Sequence, residues 1–356
     1  MKKHHSILFI SVFFLLSLLP FAGMLVMGPS PLLANETAPR TPALQSRDGS
    51  FNRAVLEDTT DYIGTRFAFR PYLVSARSFL YEKLLNSSAE EQVTLGAGGQ
   101  LYYSSTLDDY AGVSLPPEQL EAIAANLKAI QDSLEARGIR FLFTVAPNKN
   151  SLIPEGMPSR FPHSAEQSNF SRLLPLLEEA GVHTVNLHSV LAGDPALYFC
   201  TDSHWTAEGA AMAADALLKA LDRESSFSEG PFREGGNHIG DLYQMLYPTG
   251  SGREAELVYD SDFSYTTASD PRGGNAITIQ TTSPSGEGSL YCRRDSFGIA
   301  LYPYLAEAFA EAEFSRSADY SLEAFGAVEA DTVILEIVER NLAALLPADA
   351  AEIASS

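Results

Sequence analysis

The chain has 356 residues, 45% of them hydrophobic and 19% charged. That length holds one large domain or two ordinary ones, and the composition excludes wholesale disorder. Lys and Arg number 24 against 45 Asp and Glu, a formal net charge of −21. Such a surface repels phosphate backbones and argues against nucleic-acid binding.

In chain order, Lys2 and Lys3 open a basic leader, and an apolar run without charges follows from Ile7 to Met27. Its length matches the roughly 20 residues that cross a bilayer core, whereas a signal peptide's apolar region is about 7–15 residues. Residues 1–28 are therefore read as a signal-anchor, with cleavage as a signal peptide after Ala34 as the alternative. The lysine pair keeps that end cytoplasmic and places the rest of the chain outside the membrane. Residues 29–50, rich in Pro, Ser, Ala and Asn, read as a flexible tether. Residues 51–345 are expected to form one domain, and 346–356 a frayed tail.

Within the domain, a helical stretch is expected over 51–85 and a short strand over 100–103. Leu120, Ile123, Leu127, Ile130 and Leu134 recur at spacings of three and four, which predicts a helix from Pro116 to about Arg137. Strands follow at 139–145 and 183–187, with helices near 166–179 and 206–221. Residues 224–285 are dense in Gly, Ser, Asp and Thr and read as an insertion or cap, with a short helix at 240–246. Then come strand 289–293, a helix over 297–312, strand 332–338 and a last helix after Glu339. Alternation of this kind predicts an α/β fold with a mostly parallel sheet flanked by helices.

Two segments carry candidate chemistry. Thr201-Asp-Ser-His-Trp-Thr-Ala-Glu-Gly209 places Asp202 two residues before His204, on the same side of an extended segment. Asp202 is then positioned to orient His204, the role an acid plays in a Ser-His-Asp triad. Thr206 is an expected N-cap, with Glu208 in the first helical turn. The second segment, Arg293-Arg-Asp-Ser-Phe-Gly298, sets Ser296 at a strand-to-helix turn. Open α/β sheets place ligands at that edge, and the Ser296 backbone N–H there points toward a developing oxyanion. Each segment alone also reads as ordinary helix capping.

Read together, Asp-Ser-His-Trp-Thr-x-x-Gly and Arg-Asp-Ser-Phe-Gly resemble the DHHW and AlgX/AlgJ group of SGNH-hydrolase-like proteins. Val145-Ala-Pro-Asn-Lys149, the run Asp331 to Arg340, Arg66-Phe-Ala-Phe-Arg70 and the Gly-rich strand near Gly99 extend the resemblance over about residues 51–345. It implies an SGNH-hydrolase-like fold in circularly permuted order, with Ser296 as nucleophile, His204 as general base and Asp202 as the orienting acid. Arg294 stands where a typical SGNH block has Gly. Asn148 is then a candidate second oxyanion donor beside Ser296, and a turn-forming Asn is the alternative. The resemblance implies O-acetyl transfer to an exported polysaccharide, with a membrane-bound O-acyltransferase as a partner delivering the acyl group.

Arg294 and Tyr302 are candidate substrate contacts, Tyr302 with helix packing as its alternative. Arg66 and Arg70 are expected to pair with Asp61 or face solvent, and Glu339 and Arg340 to cap or bridge. Cys200 and Cys292 are open between a disulfide and two free thiols. Two other readings of the chain stand beside the transferase. One is an esterase with the same triad. The other is an inactive polysaccharide-binding or assembly protein, for which 15 Tyr and 20 Phe offer stacking surfaces. No His-x-x-x-His or Cys-x-x-Cys pair supports a metal site, His238 lies alone in a Gly-rich loop, and no cofactor is expected.

Overall fold

The apolar runs 139–145 and 332–338 form two adjacent inner strands of a sheet, and their residues feed opposite layers in alternation. A computed structural model describes residues 2–33, 36–46, 48–260, 262–268 and 277–347. The alternative cleavage point, Ala34, and the tail beyond 347 lie outside the described residues. The chain divides into two units, residues 1–94 with 239–252, and residues 95–238 with 253–356. Residues 51–94 thus belong to the first unit, although they were expected within the large domain.

In the second unit, short strands β1 (Val93–Leu95, at the unit boundary) and β2 (Leu101–Tyr103) precede β3 (Arg140–Ala146) and β4 (Thr184–Val185). Hairpin strands β5 (Phe232–His238) and β6 (Glu254–Tyr259) follow, then β7 (Thr266–Thr267), β8 (Thr278–Thr282), β9 (Ser289–Arg293), β10 (Glu311–Ser315) and β11 (Thr332–Val338). A seven-stranded sheet runs in the order β4-β3-β11-β9-β10-β8-β7. Strands β4, β3, β11, β9 and β10 pair in parallel, while β8 and β7 add antiparallel strands at one edge. The sheet is therefore mixed, with a parallel core.

Phe141, Phe143 and Val145 of β3, with Val333, Leu335 and Ile337 of β11, pack on helices Pro117–Glu135 and Asn169–Ala180. Leu142 and Ala146, with Ile334 and Val338, face the other layer, where helices Ala207–Ala220 and Gly298–Ala308 pack. Burial on both faces is why these strands read as continuous apolar runs.

Several elements depart from expectation. Residues 297–312 were expected as one helix, but the helix ends at Ala308 and Glu311–Ser315 is strand β10. Its Ala- and Glu-rich sequence favours helix locally, and pairing with β9 on one side and β8 on the other overrides that preference. The insertion holds the expected short helix, Asp241–Leu246, but also the β5–β6 hairpin and β8. The last expected helix is a 3₁₀ segment over Glu339–Leu345.

In the first unit, helices α1 (Lys2–Met27), α2 (Val55–Arg66) and α3 (Arg70–Leu85) follow one another. Within residues 5–27 of α1 an 18-residue stretch has a mean hydropathy of 2.4, and the helix suffices in length to cross a membrane. Arg70 pairs with Glu36 at 2.5 Å, where pairing with Asp61 or exposure to solvent was expected.

Candidate active site

Ser296 follows β9 at its C-terminal end, two residues before helix Gly298–Ala308. Asp295 shapes this turn. Its Oδ1 accepts the Phe297 N–H at 2.9 Å and its Oδ2 the Val338 N–H at 2.7 Å, stapling the turn to the end of β11. The Asp295 N–H in turn donates to Glu336 Oε2 at 3.0 Å. Glu336 is fully buried; burial first, then the charge of Asp295, holds its carboxyl well above the usual range. Arg294 is only 1% exposed, and its Nη1 donates to the Asp295 carbonyl at 2.9 Å. It lies beneath the turn rather than at the surface expected of a substrate contact. A Cβ on Gly298 would sit 2.5 Å from the Arg294 side chain, so the glycine gives that arginine its room.

The Asp-x-His segment meets this turn from a separate loop. His204 Nε2 lies 2.9 Å from Ser296 Oγ, and His204 Nδ1 lies 2.7 Å from Asp202 Oδ1. The same Oδ1 accepts the His204 backbone N–H at 2.9 Å, so one carboxylate oxygen sets both ring and backbone. Asp202 is buried, whereas the His204 side chain is a quarter exposed and Ser296 is half-buried. Trp205 ties the two segments together, since its Nε1–H donates to the Phe297 carbonyl at 3.2 Å and its ring meets Phe297 edge-on. Thr206 caps the following helix through Gly209 N–H, as expected. A Cβ on Gly209 would approach the Leu197 carbonyl to 2.5 Å, which explains the glycine of the motif.

Three groups that sequence reasoning left unused hold the 198–204 loop. Lys149 is buried and its Nζ donates to the carbonyls of Leu101, Cys200 and Asp202 at 2.8, 2.7 and 3.2 Å. Glu254 of β6 accepts the N–H groups of Cys200 and Thr201 at 2.6 and 2.9 Å. His238 of β5, paired across the hairpin with Glu254, brings Nε2 within 2.8 Å of Asp202 Oδ2. Its ring stacks on Phe199 at 3.9 Å. His238 is thus not the isolated loop histidine expected, because the β5–β6 hairpin carries it onto the Asp202 carboxylate. A His 36 residues from its partner in a Gly-rich stretch leaves no local pattern to read.

The surroundings of His238 predict a pH-dependent contribution to stability. Burial lowers its tendency to hold a proton, but the hydrogen bond to Asp202, with the charges of Asp202, Glu256 and Glu254, raises its pKa overall. A raised folded pKa stabilises fully below the ordinary histidine value of about 6.5 and is lost as pH rises through the folded value. His238→Phe keeps the stacking ring and removes the donor. It is expected to destabilise the fold by about 1–2 kcal/mol at pH 6 and by clearly less at pH 9, read by urea unfolding. An equal loss at both pH values would show that packing, not charge, is what His238 supplies.

Other candidates sit as follows. Among the described residues the Ser296 backbone N–H has no protein acceptor. Asn148 is 1% exposed, and neither its Nδ2 nor its Oδ1 has a partner among the described residues, while its N–H donates to Glu339 Oε2 at 2.9 Å. Tyr302 packs edge-on against Tyr265 and Phe314 in an aromatic group. Glu339 is buried and also accepts from Ser151 Oγ at 2.7 Å. Arg340 lies over the Phe297 ring at 5.6 Å and over Tyr103 at 5.3 Å. Cys200 and Cys292 are free thiols, Cys292 inside the core, and burial pushes both upward in pKa.

Residues 93–261 match the family described as SGNH hydrolase-like domain, acetyltransferase AlgX. The matched range includes Asp202 and His204 and stops before Ser296, which joins them through the fold. The probable alginate O-acetylase AlgJ of Pseudomonas putida is 25% identical over 163 residues, 43% of this chain and 42% of that protein. The alginate biosynthesis protein AlgX of Azotobacter vinelandii is 28% identical over 115 residues, 30% of this chain and 24% of that protein. The chain thus spans less than half the length of these relatives. Bacillus cereus PatB1 superposes with a TM-score of 0.53 at 17% identity, over 64% of this chain and 91% of that one. A DHHW family protein from Eubacterium siraeum gives 0.51 at 13%, over 67% and 89%. The fold is SGNH-hydrolase-like, and residues 93–261 match the AlgX family on a chain similar to the AlgJ and AlgX proteins.

Proposed function

We propose that this chain is an extracytoplasmic O-acetyltransferase that acylates hydroxyl groups of an exported or cell-surface polysaccharide through an acyl-Ser296 intermediate. The observation that carries this reading is the continuous chain from Asp202 Oδ1 through His204 to Ser296 Oγ, with contacts of 2.7 and 2.9 Å. Asp202 accepts from Nδ1–H, which leaves Nε2 unprotonated and facing the serine hydroxyl. His204 takes the Ser296 proton as Oγ attacks the acyl carbonyl. The Ser296 N–H receives the oxyanion, and His204 returns the proton to the leaving group. An acceptor hydroxyl then attacks the acyl-serine, giving its proton to His204, and Ser296 Oγ recovers one as the ester departs. Water in place of the sugar makes the same cycle an esterase. Asn148 serves as a second oxyanion donor only where substrate entry uncovers its amide, so the Ser296 N–H is the better-supported donor.

The relatives named for alginate O-acetylation support acetyl as the group and a polysaccharide as the acceptor class. The apolar α1 supports a membrane-anchored, extracytoplasmic placement, and an acyl donor delivered by a membrane-bound acyltransferase suits that placement. The test is intact-mass spectrometry of the full chain after exposure to p-nitrophenyl acetate, followed by addition of an oligosaccharide acceptor. One acetyl group on Ser296, discharged faster by the oligosaccharide than by buffer, is the expected result. Discharge at the same rate in both would make the protein an esterase. No adduct on a folded chain would leave the polysaccharide-binding reading.

A further inference from the structure

Helix α3 has its faces reversed relative to a helix of a water-soluble domain. Tyr72, Leu73, Ala76, Phe79, Leu80 and Leu84 recur at spacings of three and four and share one face. All are exposed; Tyr72 is 66%, Phe79 54% and Leu84 75% accessible. The opposite side carries polar groups that find protein partners. Ser75 Oγ accepts from Thr249 N–H and Thr249 Oγ1 at 3.2 and 2.9 Å, and Glu82 accepts from Tyr247 Oη. Ser78 is the buried residue of the helix. A helix that buries serines and presents leucines and aromatics outward is matched to an apolar medium outside it, since a contiguous apolar face of this size is costly in water.

The first unit indicates which medium that is. Helix α1 touches the turn between α2 and α3 one turn before its own end. A Cβ on Gly23 would lie 2.6 Å from Ala68 Cβ and 2.9 Å from the Phe69 ring. Just beyond α1, Ser30 N–H donates to the Arg66 carbonyl at 2.9 Å, and the Glu36 carboxylate receives both Nη groups of Arg70 at 2.9 and 2.5 Å. Gly23 is four residues from Met27, about 6 Å along the helix axis. If α1 crosses a bilayer, these contacts fix the start of α3 at the boundary between hydrocarbon and headgroups.

We propose that α3 lies in the surface of a lipid bilayer, with its Tyr72–Leu84 face in the headgroup–acyl boundary, beside the point where α1 leaves the membrane. Interfacial helices bury such faces by about 5–10 Å. Lys83, which pairs with Glu82 at 2.7 Å, shares this face, and Arg77, which lies over the Tyr81 ring, borders it. Both side chains are exposed. Their long apolar stems let both cations reach lipid phosphates while the neighbouring side chains enter the acyl region. The Phe69–Tyr72 start of α3 also lines a groove of about 760 Å³ with residues 27–33, wide enough at the foot of α1 to receive part of a lipid chain. The inference stands on the first unit alone and is independent of the chemistry at Ser296.

The test places a tryptophan on the face of the full chain, as Phe79→Trp or Leu84→Trp, in vesicles of phosphatidylcholine and phosphatidylglycerol. Trp205, the sole native tryptophan, is 1% exposed and gives the background emission in the unsubstituted chain. Bromine on the acyl chains is expected to quench the added emission at least twofold, with aqueous iodide quenching it far less. Quenching by iodide and not by bromolipid would overturn the proposal by putting the face in water. Protection from both, accompanied by self-association of the chain, would also overturn it and assign the face to a second copy. Both substitutions sit at exposed positions, and a folding defect, visible as lost helical circular dichroism relative to the unsubstituted chain, is separable from either outcome.

Discussion

Replacing Ser296 or His204 by Ala is expected to lower acetyl transfer by about 10⁴- to 10⁶-fold, and Asp202→Asn by about 10⁴-fold. On the proposed mechanism the effects should not add, because the three residues would then act as one relay. A double Ser296→Ala, His204→Ala chain should be no worse than either single one. The reason lies in the geometry. Without Ser296 Oγ there is no nucleophile at the strand-to-helix turn, and without Nε2 at 2.9 Å nothing removes its proton. Asn at position 202 still fills the buried site, but its amide can present a donor to Nδ1 and turn the imidazole to the wrong tautomer. Initial rates with p-nitrophenyl acetate, together with the acetyl adduct on the intact chain, read all four variants. Full activity in Ser296→Ala would end the acyl-serine reading. A loss confined to Asp202→Asn would point to loosening of the loop rather than to proton transfer.

Lys149→Met is expected to cost about 3 kcal/mol of stability, lowering the melting temperature by about 6–12 °C. Methionine fills most of the volume but donates no hydrogen bond. The carbonyls of Leu101, Cys200 and Asp202 lose the ammonium they share in the interior, where an unpaired acceptor costs about 1–3 kcal/mol. The same change should lower turnover more than a distant core substitution of equal cost, because the carbonyls of Cys200 and Asp202 belong to the loop that aims His204. Thermal melts beside acetyl-ester turnover separate the two effects. A Lys149→Arg chain makes a useful partner, since a planar guanidinium does not reproduce a point donor in that space. Near-normal stability in Lys149→Met would show that the loop is held chiefly by Glu254 and His238.

Much of the sheet was legible from local pattern. Strands 289–293 and 332–338 were expected at the bounds observed, and helix 117–135 from its three-and-four spacing. Strand β10 was missed because Ala and Glu favour helix when read alone, and only its pairing with β9 and β8 makes it a strand. The β5–β6 hairpin was missed for a related reason. Phe232-Arg-Glu-Gly-Gly-Asn-His238 has no apolar alternation, since the strand is mostly exposed. Arg294 was expected as a candidate substrate contact; charged residues are rarely buried, and the space over Gly298 that accommodates this one exists only in the folded turn.

By itself the sequence determined the apolar N-terminal helix, the alternation behind the sheet, and the two short segments bearing Asp202, His204 and Ser296. Each of these depends on residues within one turn or one strand, where periodicity and capping act. The tertiary structure alone decided that His204 and Ser296 stand 2.9 Å apart across a separation of 92 residues. It also decided that Lys149, Glu254 and His238 hold the loop between them. Those partners are brought together by sheet order and by the hairpin, and the hydrogen bonds they make leave no trace in the spacing of neighbours along the chain.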